Sequence, residues 1–193
     1  MSNETIKINF LDKVSILVKK KIKTIIVLLI IIFVFVMAFI FYKHLEKTNN
    51  IKIADSYTQA SILVKQKKIN ESKLLLENII NKNHQLYSPL ALYLIIDNNI
   101  ESDNSKIIVF FDKILANNSI DKENLNLIKI KKAIYLIHLD NEKLIVETLN
   151  PIINSNSVWK DLAIDLISEY FLSKDQKNKA NEYIQLLNNK KNK

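Results

Sequence analysis

The sequence predicts an all-α chain: a single N-terminal transmembrane helix followed by an α-solenoid of about four helix pairs. Three observations carry this. Residues 24–42 form an unbroken apolar run without a charge; from residue 51 onward apolar residues recur at helical spacing between breaks rich in Asn, Asp and Ser; and small residues return at fixed offsets within paired segments. No strand or hairpin pattern competes with them.

Composition narrows the chemistry before any element is placed. The 193 residues hold 28 Lys+Arg, all of them lysine, against 20 Asp+Glu, with no Gly and no Cys. Without Gly there is no GxGxxG turn, P-loop, GxSxG elbow or EF-hand loop, because each needs a backbone that only Gly adopts cheaply. Without Cys there is no disulfide, thiolate metal site or cysteine nucleophile. The heavy use of Ile, Lys and Asn reads as the codon habit of an A+T-rich genome. Once the N-terminal segment and the tail lysines Lys190, Lys191 and Lys193 are set aside, lysines and acids nearly balance. No clustered basic face with interleaved aromatics remains, so nucleic acid is not an expected partner.

The elements follow in chain order. Residues 1–23 read as a cytosolic basic amphipathic segment, with Phe10, Leu11, Val14, Leu17, Val18 and Ile22 at helical intervals and Lys13, Lys19, Lys20 and Lys21 between them. Docking on an anionic leaflet or a partner's cytosolic face is one reading of it, and simple topology setting is the other. Residues 24–42, at about 1.5 Å per residue, span roughly 28 Å, close to the hydrocarbon thickness of a bilayer. Phe41-Tyr42-Lys43-His44-Leu45 offers no pair of small residues for cleavage, so the run reads as an uncleaved signal anchor. Lys7, Lys13, Lys19, Lys20, Lys21 and Lys23 before the span outweigh Lys43, Lys47 and Lys52 after it. The expected topology is therefore single-pass, with the N-terminus cytoplasmic and the C-terminal domain across the membrane, which is the periplasm if the membrane is the inner membrane of a Gram-negative bacterium. Residues 43–50 are expected as a linker, 51–189 as the helical domain and 190–193 as a basic tail.

Within the helical domain the spacing predicts helices over 51–68, 70–82, 88–98, 103–117, 121–139, 141–153, 157–172 and 174–188. Asn83, Asn98-Asn99, Asn117-Asn118, Asn141 and Asn188-Asn189 are expected to stop helices in place of Gly, being tolerant of the left-handed conformation. Ser88 before Pro89, and Ser173-Lys174-Asp175-Gln176, read as helix starts. Ala60, Leu63, Ser72, Leu76 and Ile79 share their offsets with Ser168, Phe171, Ala180, Ile184 and Leu187. These are the spacings of the tetratricopeptide (TPR) hairpin, in which a small side chain on each helix permits close approach. Ala133, Leu136, Ile145, Leu149 and Ile152 match with Ile at one small position. The second pair fails, placing Tyr93 and Asp112 at intended core positions. The solenoid is thus expected to be TPR-like, with its first helices lining a concave surface.

The arrangement and some local sequence resemble the family of ancillary SecYEG translocon subunits, especially the shorter alphaproteobacterial-type members. The resemblance runs through Phe10-Leu11-Asp12-Lys13-Val14, the lysine-flanked anchor and the degenerate repeat pairs. Tyr87-Ser88-Pro89-Leu90-Ala91 is similar to the family's Tyr-x-x-Leu-Ala helix start, and Leu149-Asn150-Pro151-Ile152 to its Leu-x-x-Leu segment. Val158-Trp159-Lys160-Asp161-Leu162-Ala163 is similar to its Pro-Trp-Arg-x-x-Ala start, with Val and Lys replacing Pro and Arg. The resemblance implies a periplasm-facing protein that associates with a SecYEG-type translocon and with periplasmic chaperones or secreted substrates, without catalysis.

Candidate sites are few. His44, His84 and His138 are scattered without ligand spacing, so no metal site is expected, and no cofactor. His138, Asp140 and Ser157 make no triad without a named oxyanion donor. Trp159 reads as a packing anchor between the third and fourth pairs. Tyr57, Ser61, Val64, Tyr87, Ile130, Ile134, Asp165 and Glu169 occupy positions that the repeat register turns toward the groove; a register shifted by one turns several of them into core. The leading functional expectation is a membrane-anchored scaffold that assists chaperone or substrate hand-over beside the translocon. The alternatives are an envelope organiser linking division or outer-membrane assembly machinery, and a carboxylate hydrolase on a membrane stalk.

Overall fold

The computed structural model describes residues 10–191, with side chains over 22–24 and 26–187. Among the described residues there are eight helices and no strand: α1 (Phe10–Lys65), α2 (Ile69–Asn81), α3 (Tyr87–Asp97), α4 (Asn104–Leu115), α5 (Lys122–His138), α6 (Glu142–Ile153), α7 (Lys160–Ser173) and α8 (Lys177–Lys191). The chain divides into two compact units, residues 1–52 and 53–193.

In the first unit the apolar run of α1 is uncovered, with Phe33, Phe35, Phe39 and Phe41 at 64%, 71%, 62% and 64% exposure. A helix apolar all round and exposed all round suits hydrocarbon rather than water. By length and composition this helix is able to cross a membrane. The expected linker 43–50 is helical. It contains neither Gly nor Pro, and the Lys43–Glu46 ion pair at 2.8 Å and the Thr48 hydroxyl donating to the His44 carbonyl at 2.9 Å both suit a helical backbone. The helix expected over 51–68 is accordingly the end of α1. The amphipathic reading of residues 1–23 and the basic tail 190–193 rest on side chains outside the described residues.

In the second unit each helix packs on the next, from α2 on α3 through α7 on α8. The end of α1 meets α2 where Ala60 and Ser72, both wholly buried, lie in contact; the Ser72 hydroxyl donates to the Ala60 carbonyl at 3.1 Å. Ala133, Ile145, Leu149 and Ile152 take the same offsets with no exposure, and Ser168, Phe171 and Ala180 are buried likewise. The second pair corrects the expected register. Tyr93 is half-buried and Asp112 exposed, while Ile95, Ile107, Phe111 and Ile114 fill those offsets at 0–1% exposure. The shift keeps the Asp112 carboxylate out of the core, where burial would be costly, and lets it meet Lys132 Nζ at 2.5 Å.

The helices α1, α3, α5 and α7 end alike. Lys67, Asn99, Asp140 and Asp175 hold φ of 60°, 50°, 54° and 55°. The next amide in each case reaches back five residues: Lys68 to the Leu63 carbonyl (2.9 Å), Ile100 to Ile95 (2.9 Å), Asn141 to Leu136 (3.2 Å) and Gln176 to Phe171 (2.9 Å). This is the Schellman turn, built without the glycine that usually occupies it. Asn83 and Asn99 adopt the expected left-handed conformation. Asn141 instead caps α6 by accepting from the Leu144 amide, and Asn117 is buried with its side chain donating to the Asn83 carbonyl at 2.6 Å. Asn188-Asn189 lies inside α8. Two expected starts are also corrected. α3 begins at Tyr87, with Ser88 Oγ donating to the Ile79 carbonyl, and Ser173 closes α7, where the Schellman turn leaves no room for a capping box.

The buried side chains form two clusters, one from Ile53 to Ile128 and the other from Ile130 to Ala180, so the seam between them falls inside α5.

Candidate protein-binding surface

The eight residues expected on the concave face differ in their surroundings. Tyr57 and Tyr87 meet, their ring centroids 5.7 Å apart, half-buried against the first core with Val64. Ser61 donates to the Tyr57 carbonyl of its own helix at 3.0 Å. Ile134 is 36% exposed, and Asp165 and Glu169 face solvent. Ile130 is core at 2% exposure, because it shares the helix face of Ala133 and Leu136.

The accessible apolar surface lies elsewhere. α3 is apolar nearly all round its circumference, and a helix of that kind needs cover on more than one side. Ala91, Leu92 and Ile95 are buried in the core. The stripe Leu86, Leu90 and Tyr93 opens instead on a groove of about 490 Å³, whose opposite wall is Asn124, Leu127 and Ile128 of α5. Leu86 keeps 54% of its surface exposed. Two further walls come from Pro89 and Ile120, and Gln85 and Asp121 supply polar groups. None of the eight expected residues lines it. The available signal was the second apolar stripe of α3, running one helical step beside the core stripe.

The electrostatics of the groove are simple. Burial pushes the Tyr93 phenol up to about 12. The Asn124 amide, followed by smaller hydrogen-bond contributions, holds the Asp121 carboxyl below its ordinary value, and Asp121 also caps α5 through the amides of Glu123 and Asn124. Beside the groove, Lys131 Nζ sits 5.9 Å from the centroid of the Tyr93 ring. An apolar trough with a few polar groups at its edge is the kind of concave surface on which ligands and partner side chains settle.

The first turn of α5 is fixed from behind. Ser157 Oγ donates to Glu123 Oε2 at 2.6 Å, the Val158 amide donates to the same oxygen at 3.2 Å, and the Trp159 indole donates to the Glu123 carbonyl at 3.0 Å. Asn126 Nδ2 donates to Ser157 Oγ at 3.0 Å. Trp159 thus anchors the turn before α7 to α5. Ser157 is engaged here, while Asp140 accepts from the Tyr170 hydroxyl and pairs with Lys174. The chain matches no protein-family profile, no curated protein and no solved structure.

Proposed function

We propose that the chain is a membrane-anchored, TPR-like scaffold that binds proteins beside the secretion translocon and assists periplasmic chaperone or substrate hand-over. The observation that carries the binding role is the open apolar groove between α3 and α5. The TPR-like reading is supported by the four matching Schellman turns and by the small-residue contact of Ser72 with Ala60. The anchor reading rests on the uncovered apolar run of α1. The choice of translocon partners rests on the resemblance of the anchor and repeat segments. No covalent step is needed, since tethering alone raises effective concentration to about the millimolar range for short linkers.

Photocrosslinking in intact cells tests this directly. A photoreactive residue at Leu86 or Leu127 is expected to capture translocon subunits, chaperones or secreted proteins, and one at the exposed Lys143 of α6 is not. Capture from Lys143 equal to that from the groove, or none of these partners from either groove position, would remove the reading.

A further inference from the structure

The groove carries its own charge order. Asp121 lines the groove at the start of α5, where its carboxylate caps the helix and accepts from the Asn124 side-chain amide, and it makes no ion pair among the described residues. Lys131, farther along α5 and beside the groove, also makes none; its ammonium lies 5.9 Å from the centroid of the Tyr93 ring of α3. About 15 Å of helix separates the two at about 1.5 Å per residue. Between them lie Leu127, Ile128 and the stripe Leu90 and Tyr93, with no further charge lining that stretch.

We propose that the groove takes an extended peptide segment in which a basic, a bulky apolar and an acidic side chain stand at alternate positions. The basic group meets Asp121, the apolar one enters between Leu90 and Leu127, and the acidic one meets Lys131. An extended chain rises about 3.3 Å per residue and turns every second side chain to one face, so four steps cover about 13 Å, close to the helix rise between the positions of Asp121 and Lys131. A helix covering the same distance presents its side chains at three- and four-residue intervals and does not follow this rule. The inference rests on the protein-binding reading above and specifies the partner's chemistry; neither charge is needed for the trough to hold an apolar group.

The test uses the full-length chain in detergent micelles and three fluorescein-labelled peptides. Each has a central Leu; the alternate flanking positions carry Lys and Glu, Lys and Lys, or Glu and Glu. The mixed peptide is expected to bind about threefold more tightly than either like-charged one, the size of one exposed ion pair. The variant Lys131→Glu, a surface change that leaves the fold intact, should move the preference to the Lys and Lys peptide. Leu127→Asp should weaken all three about tenfold, with circular dichroism confirming retained helix. Equal binding of the three peptides, unchanged by Lys131→Glu, overturns the charge order and leaves the groove as an apolar binding site. Absence of binding by any peptide, or binding indifferent to Leu127→Asp, overturns both the charge order and the groove reading beneath it.

Discussion

Ser72 and Ala60, each without exposed surface, touch across the contact of α1 with α2, and the serine hydroxyl donates to the alanine carbonyl at 3.1 Å. Close approach, more than the hydrogen bond, is what the pair supplies. Ser72→Ala should cost no more than about 1 kcal/mol, the net worth of one hydrogen bond. Ser72→Leu should cost about 1–3 kcal/mol by forcing the helices apart. Chemical denaturation of the two variants checks the order; equal costs would show that packing does not govern the contact.

A second prediction concerns acid. Glu101, half-buried in the turn before α4 with a side chain only 6% exposed, accepts from the Asp103 amide at 3.1 Å and pairs with Lys73 at 2.9 Å and Lys106 at 3.2 Å. The Asp103 amide first, and then Lys73, pull its carboxyl from an ordinary 4.5 to about 2. Because the folded value is the lower one, the stabilisation is complete above pH 4.5 and fades as pH falls toward 2. Glu101→Gln should lower stability at neutral pH by on the order of 1 kcal/mol and flatten this acid slope. Melting temperature measured across that window reads both.

The left-handed turns give a prediction of opposite sign. Lys67 at φ 60° and Asn99 at φ 50° occupy positions where a Cβ is a burden. Lys67→Gly should stabilise by about 1 kcal/mol and Asn99→Gly by less, since Asn tolerates this conformation better than Lys. Thermal melts in which Lys67→Gly lost stability would contradict the turn geometry.

The latch behind the groove is testable by fluorescence. Glu123→Ala removes the acceptor of both Ser157 Oγ and the Val158 amide, a loss of about 2–3 kcal/mol because the acceptor is charged. Trp159, the chain's single tryptophan, sits on the same turn, so its emission should shift to the red as the turn loosens. Unchanged emission would show that the indole bond to the Glu123 carbonyl holds the turn without the carboxylate.

Topology is testable by reporter fusion and protease access. A reporter active only outside the cytoplasm should work when fused after Lys193, and protease added to opened outer membranes should digest the domain. Changing Lys19, Lys20, Lys21 and Lys23 to Gln should give mixed orientation, because Lys7 and Lys13 then face Lys43, Lys47 and Lys52. A silent, protected wild-type fusion would put the groove in the cytoplasm and remove the translocon proposal.

Helices were legible in this sequence where apolar periodicity is long, as in α5 and α7, and their ends were less so. With no glycine in the chain, the left-handed turns fall on Lys67, Asp140 and Asp175 as readily as on Asn83 and Asn99, and no residue type marks them all. Residues 43–50, expected as a linker, continue α1 because polar residues alone do not end a helix. The groove was not legible because it depends on which apolar face of α3 its neighbours leave uncovered. That is a property of packing between segments distant in sequence, and Tyr93, read as a misfit in the core, turns out to be its wall.

The seam inside α5 has a consequence for how the domain comes apart. Ile128 belongs to one cluster and Ile130 to the next, so this one helix is shared by two hydrophobic bodies. Shared ownership makes α5 the last element to let go: its amides remain protected until both bodies have melted. Native-state hydrogen exchange should therefore sort the second unit into two opening steps, with α7 and α8 exchanging together in one and α2 to α4 in the other. The α3 wall of the groove then belongs to one cooperative unit and its α5 wall to both, so a ligand bridging the walls should slow exchange on either side of the seam at once.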